Sequence, residues 1–481
     1  MKFLFPFVLF CGVAFAATAQ SPAVADNQTD TGYFYWVRFS DKDSTPGRLD
    51  KPQQFLSQRA IERRRRLQIA IDSFDLPVVP SYLDSVRACG ARLHNVSKWL
   101  NGVTVVADSA IAADIAQLSF VTQVARYNRR RLPVALGGTP DTATKKYGAG
   151  TDYSIQPCAS HDSSYYNLGY SQIAQLGGIA LHRRGYEGQG VWVGVCDGGF
   201  PGVDTLSAFK SMRDEGRIVA TRDFACHRPT VYTADAHGTM VLSNVGAYLP
   251  SVYVATAPKA TYVLCITEDA TESPIEELNW VSAAEYLDSL GIDVINTSLG
   301  YRGFDDTTLR HPFSDLDGKT AWMSIGADIA ASRGILCVNS AGNEGREGSG
   351  SLSVPADAEH ILSVGAAWSN GDRAAFSSWG QTADGRVKPD VMAQGVLVYV
   401  SMPGGGYAYA NGTSMASPIT AGMVACLRQA APNASVQQIF DAIRASGSNA
   451  MHVDNRIGYG VPDYKKALQL LLSPRFPHRQ Q

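Results

Sequence analysis

The sequence predicts an α/β protein, a mostly parallel sheet flanked by helices on both faces, preceded by a small α+β unit. Three observations predict it. From about residue 166 onward, continuous apolar runs alternate with amphipathic stretches of helical period, the pattern of strands buried on both faces. Residues 33–131 hold shorter segments in the order strand, helix, strand, strand, helix, strand. Between the two, residues 132–165 turn to Gly, Thr, Ser, Asp and Tyr without a sustained apolar period, which marks a linker open to cleavage.

A chain of 481 residues with 45% hydrophobic content can bury sizeable cores. Lys+Arg 42 against Asp+Glu 44 gives a formal charge of −2, so neither a polyanion-binding surface nor an acidic tail is indicated, and nucleic acid is not an expected partner. Lys2, the apolar run 3–15 and Ala17-Thr18-Ala19 before Gln20 form the pattern of an export signal over 1–19. That run is too short to span a bilayer, and no later stretch reaches ~18 uninterrupted apolar residues. The expectation is a soluble protein, secreted or periplasmic, without a membrane anchor.

Of eight cysteines, Cys11 leaves with the signal. Cys196, Cys265 and Cys337 sit inside strand-like runs as small buried hydrophobes, whereas Cys158 and Cys226 lie in polar surroundings that allow a bridge. No spacing of Cys and His suggests zinc.

Taken in order, 20–32 is a small, polar linker, and YFYWVRF from Tyr33 is a strand by its aromatic and β-branched content. A helical period follows over 52–70 and includes Arg63 to Arg66, read as a solvated face or processing site. Then come a helix at 81–88, strands at 92–96 and 102–107, a helix at 109–118 and a strand at 121–127. Two such halves make a ferredoxin-like sandwich, which Arg129-Arg130-Arg131 ends. In the larger unit, 166–472, strands are expected at 191–196, 261–266, 294–298, 335–340 and 361–366. Helices are expected near 237–247 and at 274–290, 320–333, 418–430 and 435–445, and 473–481 is a short polar tail.

Functional residues of a parallel sheet gather at the carboxyl ends of its strands. Asp197 closes the strand VWVGVCD ahead of Gly198-Gly199, and His237 opens a helix as HGTMVLSNVGA. Asn343 follows the strand ILCVNS, and Ser414 stands among small residues in NGTSMASP just before a helical run. A serine hydroxyl needs a neighbouring base and donors for an oxyanion, and these four residues offer that set. Their order, Asp then His then Ser, differs from the two orders used by chymotrypsin-like barrels and α/β-hydrolases.

With these motifs in view, residues 168–468 resemble the subtilisin-like serine peptidases, the subtilase family. GYEGQGVWVGVCDGGF resembles the aspartate motif, HGTMV the histidine motif, INTSLG the substrate-strand motif, SAGNEG the oxyanion motif and NGTSMASP the nucleophile motif; SVPADAEHILSVGA and FSSWG resemble later strands of the family. The departures are Gly198, Met240 and Tyr301, where the family usually has Ser or Thr, a second His, and Gly. None removes a catalytic side chain.

The resemblance implies a secreted serine endopeptidase acting through Asp197, His237 and Ser414 and an acyl-enzyme, with Asn343 holding the oxyanion. Peptide or protein substrates would add as a strand beside Ser298, Leu299 and Gly300. CGARLHNVSKWLNGVTVVADSAIAADIAQLSFVTQVARY resembles the inhibitory propeptide of the family, implying that 33–131 is a chaperone and intramolecular inhibitor removed by self-processing. No cofactor is required for this chemistry. Structural calcium, common in the family, stays unassigned, because fragments such as Asp315-Leu316-Asp317-Gly318 lack a full ligand spacing. The competing reading is a catalytically silent, subtilase-like binding protein. Nucleotide-binding and lipase readings fail for want of a phosphate loop and because Ala416 occupies the last position of GxSxG.

Overall fold

The computed structural model describes residues 32–127 and 163–473. The expected signal at 1–19, nearly all of the linkers at 20–32 and 132–165, all but Ser473 of the tail, Arg129 to Arg131 and Cys158 lie outside the described residues.

In the N-terminal unit, strands β1 (Tyr33–Phe39), β2 (Arg92–Ser97), β3 (Gly102–Ala107) and β4 (Val121–Arg126) pair antiparallel in the order β2-β3-β1-β4. Helices α1 (Gln58–Arg66), α2 (Pro80–Ala88) and α3 (Ser109–Ile115) accompany them. Alternate residues of β1 and β3, among them Val37, Phe39, Val103 and Val105, bury one sheet face with Val86 of α2 and Ile115 of α3. The single helix expected over 52–70 is divided. Ser57 takes an extended backbone and its hydroxyl accepts the Ala60 N–H at 3.1 Å, so a short turn at Pro52–Gln54 ends and α1 starts afresh.

The larger unit is built on seven parallel strands: β5 (Trp192–Asp197), β6 (Ile218–Asp223), β7 (Thr261–Ile266), β8 (Val294–Thr297), β9 (Leu336–Ser340), β10 (Leu362–Ala367) and β11 (Val391–Gln394). Their order is β11-β10-β9-β8-β5-β7-β6. Helices α4 (His237–Gly246) and α7 (Thr413–Ala430) share one apolar core with Val193, Val195 and Leu336 of the sheet. On the opposite face α5 (Ile275–Leu290) and α6 (Trp322–Ser332) pack with Cys196, Val263 and Ile295. Cys196, Cys265 and Cys337 are buried free thiols, as their apolar runs predict. Among the described residues no helix is long and apolar enough to cross a membrane.

Two expectations are corrected. Arg63 and Arg64 do not form a solvated face: both are 1% exposed, and both pair with Asp288 of α5, Arg64 at 2.8 Å, while Arg64 also meets Asp75 at 2.8 Å. The guanidinium of Arg63 also donates to the Ile292 carbonyl just past the end of α5, where the helix dipole favours cations. Burial pushes the Asp288 carboxyl up, yet Arg63, Arg64 and Lys98 outweigh it and hold it below the ordinary carboxylate range. Sequence could not show that this helix docks on another acidic surface.

The second correction concerns α7, which begins at Thr413 rather than near Pro418. Pro418 therefore lies inside the helix and supplies no N–H to the Ser414 carbonyl four residues earlier. The Ser298 hydroxyl fills that role, donating to the Ser414 carbonyl at 2.9 Å.

The N-terminal unit rests on α5 at further points. Glu285 accepts the N–H groups of Lys98 at 2.7 Å and Trp99 at 3.1 Å, and Asn279 accepts from Asn95 at 2.8 Å. Replacing Asp288 with Ala would leave two buried cations without their shared anion, a loss of about 3–5 kcal/mol. Denaturant unfolding of the full chain carrying Ser414→Ala, with and without Asp288→Ala, is expected to show the N-terminal unit released at lower denaturant in the double variant.

Candidate active site

Asp197 is the last residue of β5, and its side chain is fully buried. Its Oδ1 accepts the Gly198 N–H at 2.8 Å and is 2.9 Å from Nδ1 of His237. That pairing fixes the imidazole with its proton on Nδ1 and Nε2 as the basic end.

His237 is the first residue of α4, and its own N–H donates to Oδ1 of Asp235 at 2.8 Å. Gly238 lets the helix lie on the strand end: a methyl there would sit 2.3 Å from the Gly199 carbonyl and 3.0 Å from Cβ of Asp197. Burial pulls the His237 pKa down, but the charge and hydrogen bond of Asp197, joined by Asp235 and Glu268, leave it raised above 6.5.

Ser414 is the second residue of α7, where the helix has not yet used its first N–H groups. Gly412 precedes it with φ of 155°, and a methyl at that position would stand 2.7 Å from Oγ of Ser414 and 3.9 Å from Nδ2 of Asn343. A side chain at 412 would fill the space between the Ser414 hydroxyl and the Asn343 amide. Asn343 points its amide in one direction only, because its Oδ1 accepts the Thr413 N–H at 2.9 Å and the Thr413 hydroxyl at 3.0 Å. Its Nδ2 is then the end turned toward Ser414.

Beneath Ser414 runs a buried chain of hydrogen bonds. The Ser417 hydroxyl donates to Oδ1 of Asn296 at 2.9 Å, and Nδ2 of Asn296 donates to Oγ of Ser298 at 3.1 Å. Ser298 closes the chain on the Ser414 carbonyl. Helices α4 and α7 also meet directly, Nδ2 of Asn244 lying 3.5 Å from Sδ of Met415.

Ser298, Leu299, Gly300, Asn343 and Ser414 line one cleft of about 860 Å³. The sequence-predicted residues thus fall into two groups, the Asp197–His237 pair and the cleft wall, linked by Glu268, which lines the cleft and acts on the His237 charge. Thr413 and Asp235, which orient Asn343 and the start of α4, were not singled out from sequence. A Thr at a helix start and an Asp just before one are capping signals that could have found them. Among the described residues no group of three or more His, Cys, Asp or Glu is arranged to hold a metal ion.

One parallel sheet thus carries a buried Asp–His pair at a strand end and a helix-start serine in a cleft. The model of the subtilase family matches residues 188–460, and that of the peptidase S8 propeptide domain of Bacteroidota matches residues 34–143. The chain belongs to the subtilase family of serine peptidases and carries a propeptide domain of that family. It is 33% identical to subtilisin E of Bacillus subtilis (strain 168) over 291 residues, which cover 60% of this chain and 68% of that protein. It is 32% identical to a subtilisin of Bacillus pumilus over 291 residues, covering 60% of this chain and 94% of that one. A solved structure, the prenylagaramide maturation protease PagA, aligns with a TM-score of 0.48 and 22% identity, covering 61% of this chain and 98% of that one.

Proposed function

We propose that the chain is an exported serine endopeptidase made as a self-processing zymogen, with Asp197, His237 and Ser414 as its catalytic triad. The observation that carries the reading is the 2.9 Å contact between Nδ1 of His237 and the buried Asp197 carboxylate, with Glu268 of the cleft that Ser414 lines also acting on the His237 charge. His237 takes the hydroxyl proton as Ser414 attacks a peptide carbonyl, and Asp197 stabilises the imidazolium that forms. The proton then passes to the leaving amine, and water repeats the sequence on the acyl-enzyme. Nδ2 of Asn343 and the backbone N–H of Ser414 receive the oxyanion.

An extended substrate adds as a strand along Ser298, Leu299 and Gly300, whose position in the cleft wall suits that role. The propeptide domain acts as chaperone and intramolecular inhibitor, supported by its docking on α5 and α6. Export to the periplasm or medium is supported by the signal pattern at 1–19, and the chemistry calls for no cofactor.

Peptide-library cleavage with mass-spectrometric mapping of product ends and of the enzyme's own N-terminus tests the reading. Defined cleavage and loss of the N-terminal unit are expected, and an intact library would refute it. Asn343→Ala is expected to lower kcat by ~10²–10³ with little change in KM, because the amide acts on charge that develops only in the transition state. Steady-state kinetics on one fluorogenic peptide checks this.

A further inference from the structure

We propose that the cleft selects peptides with Arg or Lys on the acyl side of the scissile bond, and that Glu268 and Glu272 are the residues that select them. This rests on the peptidase reading above and names its substrate class.

The first ground is the charge of the cleft. Besides Ser414, Asn343 and the substrate strand, its walls carry the carboxylates of Glu268, Glu272, Asp305, Glu344 and Glu347. Three basic side chains line it, and two of them are committed elsewhere. Arg302 donates to the Gly350 carbonyl at 2.6 Å, and His311 is held by Glu277 at 2.6 Å and Asp315 at 3.6 Å. The remaining one, Arg310, shares the cleft lining with five acids.

The second ground is where Glu268 stands. It lies two residues past the carboxyl end of β7, 6% exposed, and Oε1 accepts the Tyr301 hydroxyl at 3.0 Å. Tyr301 directly follows the substrate strand Ser298-Leu299-Gly300. On its other side Oε2 comes within 3.6 Å of the place a Gly198 side chain would occupy, next to Asp197. Glu268 therefore flanks the reacting corner and the substrate strand at once, within reach of a long cationic side chain from a residue bound there.

Glu272 extends the acidic wall, its backbone N–H and carbonyl tied to Asp305. The negative field reaches the floor of this region: burial first, then Glu268, Asp269 and Glu272, push the buried Glu276 carboxyl well above its ordinary range.

An independent observation points to a basic peptide as the occupant. Strand β4 leads to Tyr127, whose hydroxyl accepts from Nε1 of Trp322 at 2.6 Å. Tyr127 packs in the same apolar cluster as Tyr301 and Phe304, and Phe304 lines the cleft. The described part of the N-terminal unit thus ends on the apolar cluster that also backs the cleft, and the sequence continues with Arg129-Arg130-Arg131.

The test uses enzyme obtained from the full chain, wild type and the variants Glu268→Gln and Glu272→Gln. Substrates are matched fluorogenic peptides that differ only by Arg or Gln at each of the four positions before the scissile bond. Fluorophosphonate labelling of Ser414 reports separately on the catalytic machinery and on folding of each variant. The best Arg peptide is expected to exceed its Gln counterpart at least ~10-fold in kcat/KM, and the ratio to fall several-fold in at least one variant and in high salt. Labelled enzyme that cleaves Arg and Gln peptides alike, or whose preference survives both substitutions, overturns the proposal and leaves the peptidase reading standing. Absence of both labelling and cleavage overturns both.

Discussion

Ser414→Ala is expected to lower kcat on peptide substrates by about 10⁶-fold and to leave the full chain with its N-terminal unit attached. The size of the effect follows from what the hydroxyl does. In the proposed mechanism it is the group that becomes acylated, and an alanine methyl at that point of α7 cannot take its place. Removing one oxygen from a small buried residue leaves the packing of α7 intact, so the loss is chemical rather than structural. Steady-state kinetics and intact mass over time measure the two consequences. Wild type should shorten and Ser414→Ala should not; identical full-length species from both would count against self-processing.

Asp197→Asn is the second large effect, a fall of about 10⁴ in kcat with the geometry nearly unchanged. The carboxylate contributes charge as well as an acceptor. Oδ1 already receives the Gly198 N–H and the imidazole, so an amide oxygen can replace it sterically, but nothing then balances the imidazolium. The pH profile separates this from unfolding. As the proposed base His237 acts only when neutral, and its pKa is raised above 6.5, so wild-type kcat/KM is expected to rise as pH rises through that raised value. Without the Asp197 charge the burial effect dominates, and the rising limb of Asp197→Asn is expected at lower pH than that of wild type.

The parts of this molecule legible in its sequence are those set by local pattern. Strands β5, β7, β8, β9 and β10 announce themselves as continuous apolar runs because both of their faces are buried. The strands β6 and β11 escaped, the first an edge strand that mixes Thr, Arg and Asp into its run and the second only four residues long just after Pro389 and Asp390. The start of α7 was misplaced by five residues because Pro418 reads as a helix opening, and the hydroxyl of Ser298 that tolerates it is 116 residues away in sequence.

The candidate site shows the same division. The placement of Asp197 at a strand end and of His237 and Ser414 at helix starts was legible through apolar runs and flanking glycines. The buried pairing of Arg63 and Arg64 with Asp288, and the nearness of Glu268 to Gly198, depend on contacts between distant segments that no local spacing encodes.

The claim on which the account turns is that Ser414 is an activated nucleophile and that His237 activates it. Fluorophosphonate treatment of the wild type and of His237→Ala, followed by peptide mapping, measures this directly. The account predicts an adduct on Ser414 in the wild type and none in His237→Ala. A folded wild-type protein with Ser414 unmodified, or equal modification in both proteins, would contradict it.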